Sequence, residues 1–388
     1  MPIINHIFFQ QTNLQPLDDD IRNTQQFIIP TLLQIYCIFA LNLDKILLFM
    51  SKLPLIGLTL EGLREVAAKC GMPSFAAKQM AQWLYEKRAT SIDQMTNLSL
   101  KARERLSQEY EIGREKPIAE ARSIDGTAKY LFKGVGGRDI EAVYIPDRDR
   151  ATICVSSQAG CKMNCYFCMT GKQGFHGNLS AQGIINQVLS IPESEKLTNI
   201  VFMGMGEPMD NLQPVLDAIE ILTAPWGLAW SPKRITVSSI GKIKELRTLL
   251  DVTKVHIAIS VHSPYPTERA QIMPVEKAYP IVDVMELLKG YDFAHQRRLS
   301  VEYIMWRGFN DDIRHADALA RLLRGTNSRV NLIRFHAIPG VELKTTNEAA
   351  MTAFRDHLNN LGITATIRAS RGEDIMAACG MLAGKEKE

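Results

Sequence analysis

Gly160-Cys161-Lys162-Met163-Asn164-Cys165-Tyr166-Phe167-Cys168 sets three thiols in one short loop, with the spacing C-x-x-x-C-x-x-C. At that spacing three thiolates can wrap one face of a cubic iron–sulfur cluster and leave a fourth iron without a protein ligand. An iron left open is a place where a small molecule binds and reacts. Two other uses of the triplet stand beside this one. One is a zinc site of three cysteines with His176 as fourth ligand; the other is a disulfide with one thiol left over. Structural zinc prefers two separated pairs of ligands to one crowded triplet, and an intracellular chain disfavours disulfides.

The 388 residues are 46% hydrophobic, enough for one large core or two modest ones, and they exclude a fibrous or disordered chain. Seven cysteines, three of them clustered, with no evident cleavable signal, point to a reducing cytoplasm. A net charge of +3 does not by itself indicate nucleic acid, because the basic residues would have to gather on one face.

Outward from the cysteine loop the chain changes texture several times. Residues 1–49 differ in character from the rest of the chain. Their apolar run from Phe27 to Met50 is broken by Pro30, Gln34, Asn42, Asp44 and Lys45, which argues against a spanning helix and against stable membrane association. Translation from an upstream start codon, with Met50 the true start, accounts for this segment simply and makes it dispensable. From Leu58 to Tyr110 the pattern is helical: Thr59 caps a helix over residues 60–70, Ser74 caps a second, and Ser91 and Ser99 begin two more. Lys69, Lys78, Lys87 and Arg88 make residues 50–110 a candidate RNA-docking domain, with a solvated helical surface as the alternative. Residues 111–150 read as a linker that carries a β-hairpin, because alternating runs flank Gly136-Gly137.

Residues 151–388 then alternate strand-like and helix-like runs. Strands are expected near 152–156, 199–203, 234–238, 255–261, 299–305 and 330–335, with helices near 181–191, 211–223, 241–250, 280–291 and 312–323. The fold class is α/β: a partial (β/α)6 barrel, preceded by a small N-terminal helical domain and a β-hairpin linker. A helix near 347–360 and a short strand near 363–368 complete the chain.

In such barrels the site forms at the carboxyl ends of the strands. The first expected strand leads into the cysteine loop, and the second into Gly204-Met205-Gly206-Glu207-Pro208, where Glu207 can accept from an ammonium group. The third ends at Ser238-Ser239, the fourth at Ser260-Val261-His262 and the sixth at His336. Each alone also reads as a turn glycine, a helix cap or a packed histidine. Their shared position makes them candidates together.

The cysteine spacing, with Phe167 before the last cysteine, resembles the cluster motif of radical S-adenosylmethionine (SAM) enzymes, and Gly206-Glu207-Pro208 resembles the element that binds the cofactor's amino group there. A wider set of matches is more specific. Residues 141–146, 151–158, 203–208, 259–262, 331–333 and 371–380 resemble the family that methylates carbon 2 of adenine in 23S rRNA and tRNA, over about Leu58 to Leu382. The resemblance implies a [4Fe-4S] cluster on Cys161, Cys165 and Cys168, and S-adenosyl-L-methionine lined by Gly206, Glu207, Ser238, Ser260, Val261, His262 and His336. At the last position many relatives carry asparagine, so His336 is a departure.

The resemblance also implies a relay. Carbon 2 of adenine is an electron-poor amidine carbon that does not attack a sulfonium methyl group directly. Cys379, expected beside Arg368 and Arg371, would take a methyl group from one SAM. A second SAM would supply the 5′-deoxyadenosyl radical that removes hydrogen from that S-methyl, and the carbon radical would add to adenine. Glu141 would take the proton from carbon 2, and Cys154 would attack the Cys379 sulfur, closing a disulfide and freeing the base. Without the family both cysteines read as ordinary buried residues. Implied partners are 23S rRNA, tRNA and a reductant for the cluster and the disulfide, with a monomer expected. Arg297, Arg298, Arg368 and Arg371 would hold phosphates at the barrel mouth. Two other classes share parts of this pattern: a radical SAM enzyme acting on a non-RNA substrate, and a non-catalytic zinc-bound RNA module.

Overall fold

Apolar side chains at every second position give this chain its sheet. In the strand Ile235–Ser239, Ile235, Val237 and Ser239 are buried while Thr236 and Ser238 between them are half-buried; in Ser328–Arg334, Val330 and Leu332 are buried while Arg329 and Asn331 are not. One face is therefore sealed by helices, and the other lines a polar lumen. The computed structural model describes residues 52–295 and 297–383, so the expectations for residues 1–49 and for the charged tail from Lys385 lie outside the described residues.

Ten strands form the main sheet: β1 (Ala119–Arg122), β2 (Ala128–Phe132), β3 (Ile140–Asp147), β4 (Arg150–Cys154), β5 (Asn199–Phe202), β6 (Ile235–Ser239), β7 (His256–Ser260), β8 (Leu299–Met305), β9 (Ser328–Arg334) and β10 (Ala365–Ile367). Their order in space matches their order in the chain. Pairing is antiparallel from β1 to β4 and parallel from β4 to β10. β2 and β3 are the expected hairpin, and the parallel part is the expected partial barrel with one added strand, β10.

The return helices Ala181–Leu189, Leu212–Thr223, Ile243–Val252, Ile281–Lys289 and Ile313–Leu322 stand within two residues of the ranges expected for them. Each buries its apolar stripe, such as Ile281, Val284, Met285 and Leu288, at about 1.5–3 kcal/mol for each large side chain. The helix Pro266–Ile272 was not expected, because seven residues opening on a proline are too few to show a period.

Before the sheet, Thr59 caps Leu60–Lys69 by accepting from Gly62 N–H, and Ser99 caps Leu100–Glu109. Ser74 does not cap: Ala76–Ala81 is entered through Phe75 in helical backbone, with no side-chain cap. Arg88 is not free for a partner, since it donates to Ser194 Oγ at 2.8 Å and ties the helices to the barrel. Among the described residues no helix is long and apolar enough to cross a membrane.

Candidate active site

Past β4 the chain forms a small hairpin, Gln158–Gly160 with Phe175–Asn178, and the cysteine loop hangs between its strands. Cys161 N–H donates to Gly174 O at 2.8 Å and closes the base of the loop; Tyr166 N–H donates to Ile272 O at 2.9 Å and ties its far side. Cys165 and Phe167 pack in an apolar cluster with Ile272, Met273, Ile304 and Trp306. The Phe167 ring meets the His262 ring edge-on at 4.8 Å.

Burial pushes the Cys161 thiol up to about 12 and the Cys165 thiol well above its ordinary value, the latter raised further by Cys168 and Cys161. Iron would therefore have to displace their protons, as it does in forming thiolate bonds. Among the described residues no three His, Cys, Asp or Glu side chains surround one metal-ion position. His176 Nε2 lies 3.0 Å from Gln173 O. Three thiols on one short loop suit a cluster, whose separate irons each take one thiolate, better than a single zinc ion.

Next to this loop lies the turn after β5. Gly206 has φ +96°, and a Cβ there would stand 2.5 Å from Gln158 Cβ, so only glycine fits. Glu207 is 4% exposed; its carboxylate accepts from Met209 N–H at 3.1 Å and Ile240 N–H at 3.0 Å, and burial pushes it up to about 7. Ser238 and Ser260 lie half-buried near the carboxyl ends of β6 and β7. Val261 and His262 are buried just beyond, and His262 Nδ1 accepts from Ile304 N–H at 3.0 Å. Burial, with the nearby Arg269 cation, takes His262 down to about 3, so it is a neutral ring.

Arg269, which sequence reading missed, organises these strand ends. Its fully buried guanidinium donates to Val261 O at 3.1 Å, Ser260 O at 3.0 Å and Ile240 O at 3.1 Å, and pairs with Glu276.

The cysteine loop is joined to the C-terminal segment. Met169 N–H donates to Gly380 O at 2.8 Å, and Thr170 Oγ1 to Leu382 O at 2.7 Å. One residue further, Ala383 N–H donates to Glu141 Oε2 at 2.9 Å. The other Glu141 oxygen pairs with Lys129 Nζ at 3.0 Å, and Lys129 also reaches Met376 O at 3.3 Å. Lys129 was missed as well; in the sequence it is one polar position in an alternating run.

Cys379 is exposed and lines a cavity of about 870 Å³ together with His336, Arg368 and Arg371. The Cys379 thiol, then Glu302 and the Cys154 thiol, favour the charged form of Arg368, so one cation feels both lone cysteines. Cys154, at the end of β4, is pushed up to about 12 by burial and then by Cys379. The two ring nitrogens of His336 face Glu373 Oε1 and Ser370 Oγ, each at 3.1 Å, so the histidine fastens the loop that carries Cys379.

Arg297 and Arg298 require a correction. They directly precede β8 and so lie at the amino ends of the strands, opposite the mouth where Arg368 comes just after β10. Arg297 donates to Leu250 O at 2.8 Å and Thr253 O at 2.6 Å.

Residues 53–112 match the family described as ribosomal RNA large subunit methyltransferase N-terminal domain, and residues 155–320 match the radical SAM superfamily. A probable dual-specificity RNA methyltransferase RlmN of Bacteroides fragilis is 58% identical over 87% of this chain and 98% of its own length. The chain belongs to the RlmN family. A dual-specificity RNA methyltransferase RlmN of Geotalea uraniireducens is 39% identical over 87% of this chain and 98% of its own. The crystal structure of a radical SAM methyltransferase from Sphaerobacter thermophilus superposes with a TM-score of 0.79 at 36% identity, covering 85% of this chain and 99% of that one. RlmN membership brings a [4Fe-4S] cluster and S-adenosylmethionine as cofactors, and the three-thiol loop offers the ligand set the cluster needs.

Proposed function

We propose that this protein methylates carbon 2 of adenine in 23S rRNA and in tRNA, as a cytoplasmic monomer. The observation that carries the reading is the 2.8 Å bond from Met169 N–H to Gly380 O, which makes the cysteine loop and the Cys379 loop neighbours. A radical enzyme acting on other substrates has no need of that proximity.

When bound, the cluster supplies the electron that splits S-adenosylmethionine into methionine and a 5′-deoxyadenosyl radical. Cys161, Cys165 and Cys168 hold the cluster. Glu207 accepts the cofactor's ammonium: two backbone N–H bonds and the Ser239 side chain fix its carboxylate, and its remaining acceptor site is left for the ammonium. Gly206, Ser238, Ser260, Val261, His262 and His336 line the rest of that site. Cys379 takes the methyl group, in an exposed position a substrate can reach. Glu141 removes the carbon 2 proton, held by Lys129 and Ala383 N–H. Once the RNA adduct has given its unpaired electron to a one-electron acceptor, Cys154 attacks the Cys379 sulfur, the freed carbon takes a proton to become the methyl group, and a cellular reductant reopens the disulfide.

Residues 50–110 serve as the RNA-docking domain, residues 111–150 carry the hairpin that delivers Glu141, and residues 151–388 form the catalytic barrel. The test is nuclease digestion and mass spectrometry of RNA from cells lacking the protein. 2-Methyladenosine should vanish from both RNAs; its persistence in both would sink the assignment.

A further inference from the structure

The lumen of the barrel carries a second cluster of cations, at the end away from the cysteine loop. Because β4 to β10 are parallel, residues that precede or open these strands share that end. Register sets His256 level with Arg298, while Arg234 lies two residues lower and Arg329 two residues higher: Thr236 pairs with His256, Ile257 with Leu299, and Ser300 with Arg329. Arg234 and Arg298 stand immediately before β6 and β8. Neighbouring strands lie ~4.8 Å apart, so Arg234, His256, Arg298 and Arg329 form a diagonal row across four strands on the lumen face.

This row lines the same cavity as Cys379. Eight of the cavity's lining residues are lysine or arginine and one, Asp147, is acidic. That carboxylate is already engaged by Arg150 at 3.0 Å and Arg371 at 3.6 Å. Lys233, Arg234, Arg298 and Arg329 make no ion pair among the described residues. Beneath them Arg297 is 6% exposed, and its Nη1 is buried without a hydrogen-bond partner. Burial, and then the charges of Arg298 and Lys233, take His256 down to about 4, so it adds a neutral ring to the row. Like charges this close repel one another unless an anion compensates them.

We propose that the amino-terminal end of the barrel is a second RNA-contact site, which holds backbone phosphates of the substrate strand away from the base being methylated. The inference rests on the RNA-substrate reading above. A single cavity joins the row to Cys379, so one strand of a few nucleotides spans both ends. Guanidinium groups suit phosphate oxygens, and such contacts add affinity and position without reading sequence.

The test combines Arg234→Gln, Arg298→Gln and Arg329→Gln in the cluster-loaded full chain. Binding of an unmodified tRNA transcript is measured across a range of salt, and 5′-deoxyadenosine formation is measured without RNA. The variant should lose at least tenfold in RNA affinity, and the slope of log affinity against log salt should become shallower by ~2, as three lost phosphate contacts imply. Formation of 5′-deoxyadenosine should match wild type, which shows fold and cluster intact. An unchanged affinity and slope, while wild type methylates the transcript, would overturn the second site and leave the RNA reading standing. A wild-type protein that neither binds nor methylates RNA would overturn both. Tripolyphosphate binding that the variant loses, with RNA binding unaltered, would mean a small-anion site and overturn the proposal.

Discussion

Cys154 and Cys379 share the field of Arg368, yet the proposed relay gives them different fates. Cys379→Ala removes the methyl acceptor, so SAM cleavage should persist while RNA gains no methyl group. Cys154→Ala leaves the acceptor but removes the resolving thiol, so protein and RNA should stay covalently joined on a denaturing gel. Turnover by Cys154→Ala at the wild-type rate with no joined species would reduce Cys154 to a packed cysteine. Glu207 sets a second expectation. Its carboxyl, raised by burial from 4.5 to about 7, must be ionised to take an ammonium, so SAM affinity should climb as pH rises to about 7 and level off above. The same shift makes the folded chain bind more protons than the unfolded one between those values, so the cofactor-free protein loses stability as pH rises through the window. Calorimetric titration in buffers of different ionisation heat reads the proton release, and a flat profile would remove Glu207 from the ammonium site. At this scale the cysteine loop was legible because its ligands lie within one short spacing. Arg269 and Lys129 were not, because their partners are set by the fold: three carbonyls on strand ends for one, Glu141 and Met376 for the other.

The strands were legible for a different reason. Their helix-facing positions are apolar through the middle of β6 and β9, at Ile235 and Val237 and at Val330 and Leu332, so alternation marks them, and the expected ends fell close to the observed ones. Short elements escaped because a turn or two of helix carries no period, as at Pro266–Ile272. The misplacement of Arg297 and Arg298 was avoidable in principle, since residues that precede a parallel strand belong to the floor and those that come after it to the mouth. Among elements, the joint between the cysteine loop and the C-terminal segment sets the next expectation. Thr170→Val keeps the side-chain volume but removes the 2.7 Å bond to Leu382 O, at a cost of about 1 kcal/mol. Iron content and SAM cleavage without RNA should stay at wild-type levels while methyl transfer falls several-fold, as mass spectrometry of protein and RNA would read. An equal loss of cleavage and transfer would mean that Thr170 merely supports the cysteine loop.

Across the whole molecule, one hydrophobic core runs from Leu55 through the barrel to Leu382, so the segment that carries Cys379 is anchored at both Ala377 and Leu382. Between those anchors, Ala378 and Met381 pack with Ile338 and Met169. Such closure could not be read from local pattern: the bond from Ala383 N–H to Glu141 joins residues 242 positions apart. It has a consequence for the metal. Cys168 immediately precedes Met169 and Thr170, the two residues that bond to Gly380 and Leu382. A cluster that fixes Cys168 therefore also steadies the C-terminal segment on the other side of that contact. Removing iron with a chelator should loosen residues 376–383 more than the core strands. Hydrogen exchange in anaerobic protein would show it, with faster exchange at Met169 and Ala383 in the iron-free form and unchanged exchange in β6 to β8. A uniform rise across the barrel would mean that the cluster stabilises the fold as a whole. No change at Met169 or Ala383 would mean that the joint between radical source and methyl acceptor forms without the cluster.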